Sequence, residues 1–178
     1  MGGGERIRLF CGLRLPGEAL DRLVAWQTRL DAAARLVPRE NLHVTLAFLG
    51  RRPGEEAPAI ASALREAAAA AEPARFAVVR YRETRSVGML VLDDEDGRAT
   101  ALAGDLHERL ERLGVYERER RPWLPHLTVV RFRERPRLAP PLPDLGAFGP
   151  SDAALYHSVL RPTGAQYEAL ETFALGGH

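Results

Sequence analysis

The chain of 178 residues contains no lysine, and all 25 of its basic side chains are arginine. That absence removes Schiff-base chemistry and any lysyl-adenylate intermediate, because both need a deprotonatable primary amine. It also removes the phosphate loop that ends in Gly-Lys-Ser/Thr. The guanidinium groups that remain suit bidentate contact with phosphate, although the abundance of Ala beside Arg points to compositional bias as their origin. One cysteine, Cys11, leaves no internal disulfide framework and fits a reducing compartment. No apolar run reaches 18 residues, and the opening MGGGERIRLF has no apolar signal core. These absences lead us to expect a soluble, cytoplasmic protein without a membrane segment, and a monomer is the separate expectation for its assembly.

Hydrophobic residues make up 46% of the chain, enough to bury a core in one domain or two small lobes. Residues 6–15 alternate as a first strand. Pro16 opens a helix to about Leu36, with Leu20, Leu23, Val24, Leu30 and Ala34 inward and Asp31–Arg35 as an i,i+4 pair. A second helix spans 55–71, and 76–81 and 87–92 read as strands. A third helix, 98–113, carries Leu102, Leu106, Leu110 and Leu113 inward and stops at Gly114. A strand from His126, a Pro-rich loop over 135–143 and a closing strand pair complete the chain. The order β-α-β-α-β-β-α-β-β-β favours an α+β fold with antiparallel sheets over a doubly wound one.

Two strands carry polar residues where a core strand should not. "NLHVTLAFLG" (41–50) places His43, Thr45 and Ala47 on one face, with Leu42, Val44, Leu46 and Phe48 on the other, core-facing side. "HLTVVRF" repeats the pattern with His126 and Thr128. The two His-x-Thr-x patterns lie 83 positions apart (43 to 126), each after a helix and a loop, and the chain has only five histidines. This reads as an internal duplication, each half donating one His-Thr pair. Imidazoles titrate near neutrality, so two facing each other across a groove can act as general acid and general base. The two hydroxyls can hold an anion between them, and a phosphate attacked on one side and released on the other fits that symmetry. No metal or cofactor is required. The pairs lack a third ligand for zinc, so a zinc hydrolase ranks last. A non-catalytic binder of nucleotides or RNA ends on the same groove is the alternative from another class.

These residues resemble the 2H phosphoesterase superfamily, and more closely its bacterial and archaeal RNA 2',3'-cyclic phosphodiesterases, also called 2'-5' RNA ligases. The similarity runs through "RLFCGLRLPGEALDRL", "VPRENLHVTLAFLG", "RPWLPHLTVVR" and "LYHSVLRPTGAQYEAL". It implies a single bilobal domain over 1–178 with two pseudo-symmetric lobes, each with an antiparallel sheet and flanking helices. It also implies that the lobes interleave, one from both termini and one from the middle of the chain. The implied reaction is hydrolysis of an RNA 2',3'-cyclic phosphate end, such as that of a tRNA fragment, or of a small cyclic nucleotide, to a 2'-phosphomonoester. By position, His43 is the proton donor to the departing 3' oxygen and His126 the proton acceptor from water. Thr45, Thr128 and Arg131 bind the phosphate. Without lysine, 2'-5' joining could run only as the reverse of hydrolysis, and ATP is a conceivable groove ligand.

The chain departs from the family's habit at Ala47, where Lys is frequent, and at Leu124, Met89 and His157, where a basic residue, Trp and Arg are frequent. Strict alternation puts Arg131 on the face of Leu127 and Val129, so it reaches the site only if a bulge or the strand end re-aims it. Trp123, in the loop before His126, is the stacking candidate for a base, and His157 a candidate for lining the groove. His107, beside a leucine stripe, reads as a boundary residue.

Overall fold

The computed structural model describes residues 4–30 and 34–176. Thirteen described elements run β1 (Arg6–Arg14), α1 (Gly17–Gln27), β2 (Arg35–Leu36), a 3-10 turn (Arg39–Asn41), β3 (Val44–Pro53), a second 3-10 turn (Gly54–Glu56), α2 (Ala57–Ala70), β4 (Phe76–Glu83), β5 (Val87–Asp94), α3 (Arg98–Arg112), β6 (His126–Arg131), β7 (Asp152–Arg161) and β8 (Gly164–Phe173). The architecture is α+β, and every strand pairing among the described residues is antiparallel. The strand order is β4-β5-β6-β3-β1-β7-β8, with the short β2 also on β6.

The first helix ends at Gln27, well short of Leu36. Residues 28–30 turn out of it with Leu30 buried, and Arg35–Leu36 pair with Arg131 and Val130 instead. The Asp31–Arg35 pairing lies outside the described residues. Edge pairing of this segment competes with helical propensity and wins, because β6 would otherwise present an open edge. The other two helices match their sequence patterns to within a residue or two, except that Leu113, just past α3, is exposed.

The sheet halves meet at a single residue pair, Val44 with Leu127. These two positions are themselves 83 apart, so the pair sits on the pseudo-two-fold axis of the duplication. Each half then repeats the same irregularity. On β3, Thr45 pairs with Gly12 and Ala47 with Cys11, leaving Leu46 as an extra residue. On β6, Thr128 pairs with Met89 and Val130 with Gly88, leaving Val129 as the extra one. Both are β-bulges one residue past the threonine, and each flips the alternation of the residues beyond it.

The helices stabilise these bulges. His107 on α3 donates its Nε2–H to the Leu46 carbonyl at 2.7 Å. Gln27 on α1 donates its amide to the Val129 carbonyl at 2.8 Å and to that of Val37 at 3.0 Å. Both side chains are buried, where an unmade hydrogen bond would cost roughly 1–3 kcal/mol. His107, read as a boundary residue, is thus a buried structural donor. Around it the core is continuous, with Leu13, Leu46, Leu64, Leu106, Leu127 and Leu155 fully buried between sheet and helices.

Candidate active site

The antiparallel pair Val44–Leu127 sets the geometry of the groove. In a register centred on it, residue 43 lies opposite 128 and residue 45 opposite 126. Side chains of all four residues leave the same face, away from the buried Val44 and Leu127. The four groups predicted from the two motifs therefore converge, each His across from the other half's Thr.

Both imidazoles are held in the same way. His43 Nδ1 lies 2.7 Å from the Asn41 carbonyl, and His126 Nδ1 lies 2.8 Å from the Leu124 carbonyl. A carbonyl only accepts, so each Nδ1 carries its hydrogen and each Nε2 is left as the atom that can gain or lose a proton. Positions 41 and 124 are again equivalent by duplication. No residue type is needed at either, since the backbone does the work, and sequence reading had no signal for it. The Asn41 amide is buried and donates to the Ala165 carbonyl at 2.9 Å, fixing the first of these carbonyls to β8.

The two rings differ in what surrounds them. His43 lies against an aromatic wall: the Phe10 ring is 4.8 Å from it, Tyr167 5.5 Å edge-on and Tyr156 5.9 Å. Gly12 makes room for it, since a Cβ there would stand 3.2 Å from the imidazole Cδ2 and 3.2 Å from the Val44 carbonyl oxygen. Burial pushes His43 down to about 4, and the positive potential of His126 and Arg131 acts in the same direction against the Asn41 carbonyl. At neutral pH the ring is therefore uncharged, and its Nε2 accepts the Thr45 hydroxyl hydrogen at 2.8 Å.

Arg131 lies on the groove side. The bulge at Val129 makes Val129 and Val130 both buried and leaves Arg131 exposed on the face of His126 and Thr128. Strict alternation predicts the opposite, and the bulge is the physical reason it fails. The same shift corrects the reading of Phe48 as a core residue. With Leu46 extra, Phe48 joins the groove face opposite Phe10 and is exposed.

Trp123 is partly buried, packs against the core and donates its indole N–H to the Thr45 carbonyl at 3.0 Å. It holds the first motif's strand from the loop of the second. His157 pairs across from Leu9, a core-facing residue of β1, and its Nδ1 is 3.9 Å from Glu168. It stands on the other face of the sheet from His43 and does not join the cluster. Among the described residues, no three His, Cys, Asp or Glu side chains are grouped so as to hold a metal, and no helix is long and apolar enough to cross a membrane.

The family model described as LigT like Phosphoesterase matches residues 13–84. A Thermus thermophilus protein named RNA 2',3'-cyclic phosphodiesterase is 31% identical, over 96% of this chain and 91% of the relative. A crystal structure of a Thermus thermophilus protein superposes with a TM-score of 0.82 at 31% identity, covering 96% of this chain and 98% of the other. Escherichia coli LigT, crystallised in complex with ATP, gives a TM-score of 0.74 at 26% identity over 96% and 99% of the two chains. Sequence and fold thus agree over nearly the whole length, and the chain belongs to the RNA 2',3'-cyclic phosphodiesterase family of LigT-like, 2H-type phosphoesterases.

Proposed function

We propose that the protein hydrolyses the 2',3'-cyclic phosphate at an RNA end, or of a small cyclic nucleotide, to a 2'-phosphomonoester. The observation that carries this is the symmetric pair of imidazoles, each with Nδ1–H tied to a carbonyl and Nε2 turned to a shared groove. The four strands β3, β1, β7 and β8 form one lobe in this reading, and β4, β5 and β6 the other, with the groove between.

His126 Nε2 takes a proton from water as the water oxygen attacks phosphorus. The bond from phosphorus to the 3' oxygen breaks, and that oxygen takes a proton from His43 Nε2, leaving a 3'-hydroxyl and the 2'-phosphate. Thr45, Thr128 and Arg131 hold the non-bridging oxygens, and the arginine fork adds charge where the transition state gathers it. His43 is uncharged in the free groove, so it takes up its proton from solvent as the anionic substrate binds. An anion beside the ring favours the imidazolium. Once Nε2 is protonated it no longer accepts from Thr45, and the threonine hydroxyl turns to donate to the phosphate. Binding and arming of the acid are one event.

By microscopic reversibility the same groups could join a 2'-phosphate end through the reverse reaction, with no adenylated enzyme. A nucleotide such as ATP, the ligand of the Escherichia coli relative, fits the groove through its phosphates in the same reading.

The test uses an RNA oligomer with a defined 2',3'-cyclic phosphate and identifies the product by phosphorus NMR. A 2'-phosphate is expected, formed equally well in EDTA, with losses of about 10²- to 10⁴-fold in His43→Ala and in His126→Ala. A 3'-phosphate product, or full activity in either variant, would overturn the assignment.

A further inference from the structure

The half of the sheet that carries His126 has a further bulge on its outer strand. On β4, Val78 pairs with Leu92 and Arg80 with Val91, leaving Val79 as an extra residue. Val78 and Tyr81 therefore both pack on the core, and Arg80 and Arg82 turn to the opposite face. That is the groove face, because Arg80 lies across from Val91 and Arg82 from Met89, whose partners on β6 are His126 and Thr128. Two rows cross this half of the sheet, His126–Val91–Arg80 and Thr128–Met89–Arg82. Both arginines are exposed and, among the described residues, neither makes an ion pair.

The duplication shows that the fold does not require this charge. In the other half the register continues to matching rows, His43–Arg14–Asp152 and Thr45–Gly12–Ala154. There the outer strand β7 supplies a carboxylate, which accepts from the Arg14 guanidinium at both oxygens, and a methyl group. Strand β4 supplies two bare cations instead, with only apolar Val91 and Met89 between them and the motif residues. Asp93, next on that face of β5, lies across from Ala77 and ends the cationic run. Arg80 and Arg82 are two residues apart, or about 7 Å along the strand. That spacing is close to that of successive phosphates in an extended single strand, and each guanidinium can grip one of them.

We propose that Arg80 and Arg82 form a second phosphate subsite, which holds the backbone of a single-stranded RNA segment on the nucleophile's side of the groove. This rests on the reading of the groove in which His126 takes the proton from the attacking oxygen. The sugar that bears the reacting phosphate then lies with its 3' oxygen toward His43, so the cations beyond His126 face a different segment. Arg80 stands two strands outboard of His126, roughly 10 Å between backbones. One extended nucleotide and an arginine side chain together cover that span. A 5'-hydroxyl end whose first phosphates rest on Arg80 and Arg82 brings its oxygen to the place where water otherwise attacks.

The probe is a tetrauridylate with a free 5'-hydroxyl and a fluorescent label at its 3' end, which carries internal phosphates and no terminal one. Wild type and the double variant Arg80→Gln with Arg82→Gln are titrated with it by anisotropy at about 50 and about 200 mM salt. In each titration 2'-AMP saturates the catalytic phosphate site. Loss of two phosphate contacts makes the salt dependence shallower, so between those salts the wild type should weaken about sevenfold more than the variant. Affinity for 2'-AMP alone should be the same in both proteins. Equal salt dependence, absence of RNA binding beside 2'-AMP, or a matching loss of 2'-AMP affinity in the variant would overturn the subsite. A wild type that binds the RNA through these arginines yet leaves cyclic phosphates intact would support the subsite while refuting the proposed hydrolysis.

Discussion

Holding His43 uncharged against an aromatic wall has a measurable consequence for stability. In the unfolded chain the ring titrates near 6.5, and in the folded groove near 4. Between those values the unfolded state binds a proton that the folded state refuses, so stability is fully present above pH 6.5 and falls as pH drops toward 4. Shifting the group by that much removes about 2 kcal/mol at pH 5 if the ring were wholly shielded. The ring is only half-buried, and discounting for solvent leaves roughly 1 kcal/mol. Carboxylates also titrate at this end of the scale; Glu83, for example, is held below its ordinary range by Tyr81, Leu138, Arg135 and Arg137 against the opposing effect of burial. The contribution of His43 is therefore read as a difference. Urea unfolding of wild type and His43→Asn at pH 7 and pH 5 should show the variant's relative stability rising by that amount at the lower pH. Saturating inorganic phosphate should shrink the wild-type loss, because an anion in the groove favours the imidazolium. Parallel pH curves for the two proteins, with or without phosphate, would show that the wall does not depress the ring.

Gly12→Ala puts a methyl 3.2 Å from both the His43 ring and the Val44 carbonyl. A loss of about 1–3 kcal/mol in thermal unfolding, with a larger fall in kcat than in 1/KM, is expected from the displaced imidazole. Gln27→Leu removes the donor to Val37 and Val129, and His107→Phe the donor to Leu46. Each should cost roughly 1–3 kcal/mol in denaturant unfolding, and intact stability in both would show that the bulges need no support from the helices. Arg131→Gln should weaken binding of inorganic phosphate and flatten its dependence on ionic strength, read by NMR titration at two salt concentrations. An unchanged affinity would place Arg131 outside the phosphate site.

The paired motifs were legible because they are repeated. One His-x-Thr strand is ambiguous, whereas two at matched places in two half-chains define a groove between them. Element order was legible as well, since apolar periodicity and the Pro and Gly punctuation marked most boundaries. The failures cluster where alternation breaks. A bulge adds one residue and leaves no mark in the local residue types, so strict alternation puts Phe48 in the core and Arg131 on the face of Leu127 and Val129, both on the wrong side. The supports of the bulges were equally hidden, because His107 and Gln27 act on backbone carbonyls distant in sequence. The first helix failed for a different reason: its periodic pattern continues past Gln27, but pairing of Arg35–Leu36 with β6 outweighs it. Trp123, the stacking candidate, donates its indole N–H to the Thr45 carbonyl 78 positions away, a contact that local residue patterns do not announce.

Duplication supplies two equivalent histidines, yet a reaction that accepts a proton on one side and delivers one on the other needs unequal partners. The inequality cannot come from the motifs, which tie both rings to a carbonyl two residues earlier in the same tautomer. It comes from the strands that the chain termini bring. β1, β7 and β8 place Phe10, Tyr156 and Tyr167 around His43. The matching strand in the other half, β5, sets Met89 where β1 has Gly12. An imidazole in an apolar wall is a poor resting base, and once a phosphate has helped to charge it, the same wall favours giving the proton up. The side of the groove with the wall is therefore the side on which the leaving oxygen should receive its proton, which is the role that resemblance alone assigned to His43.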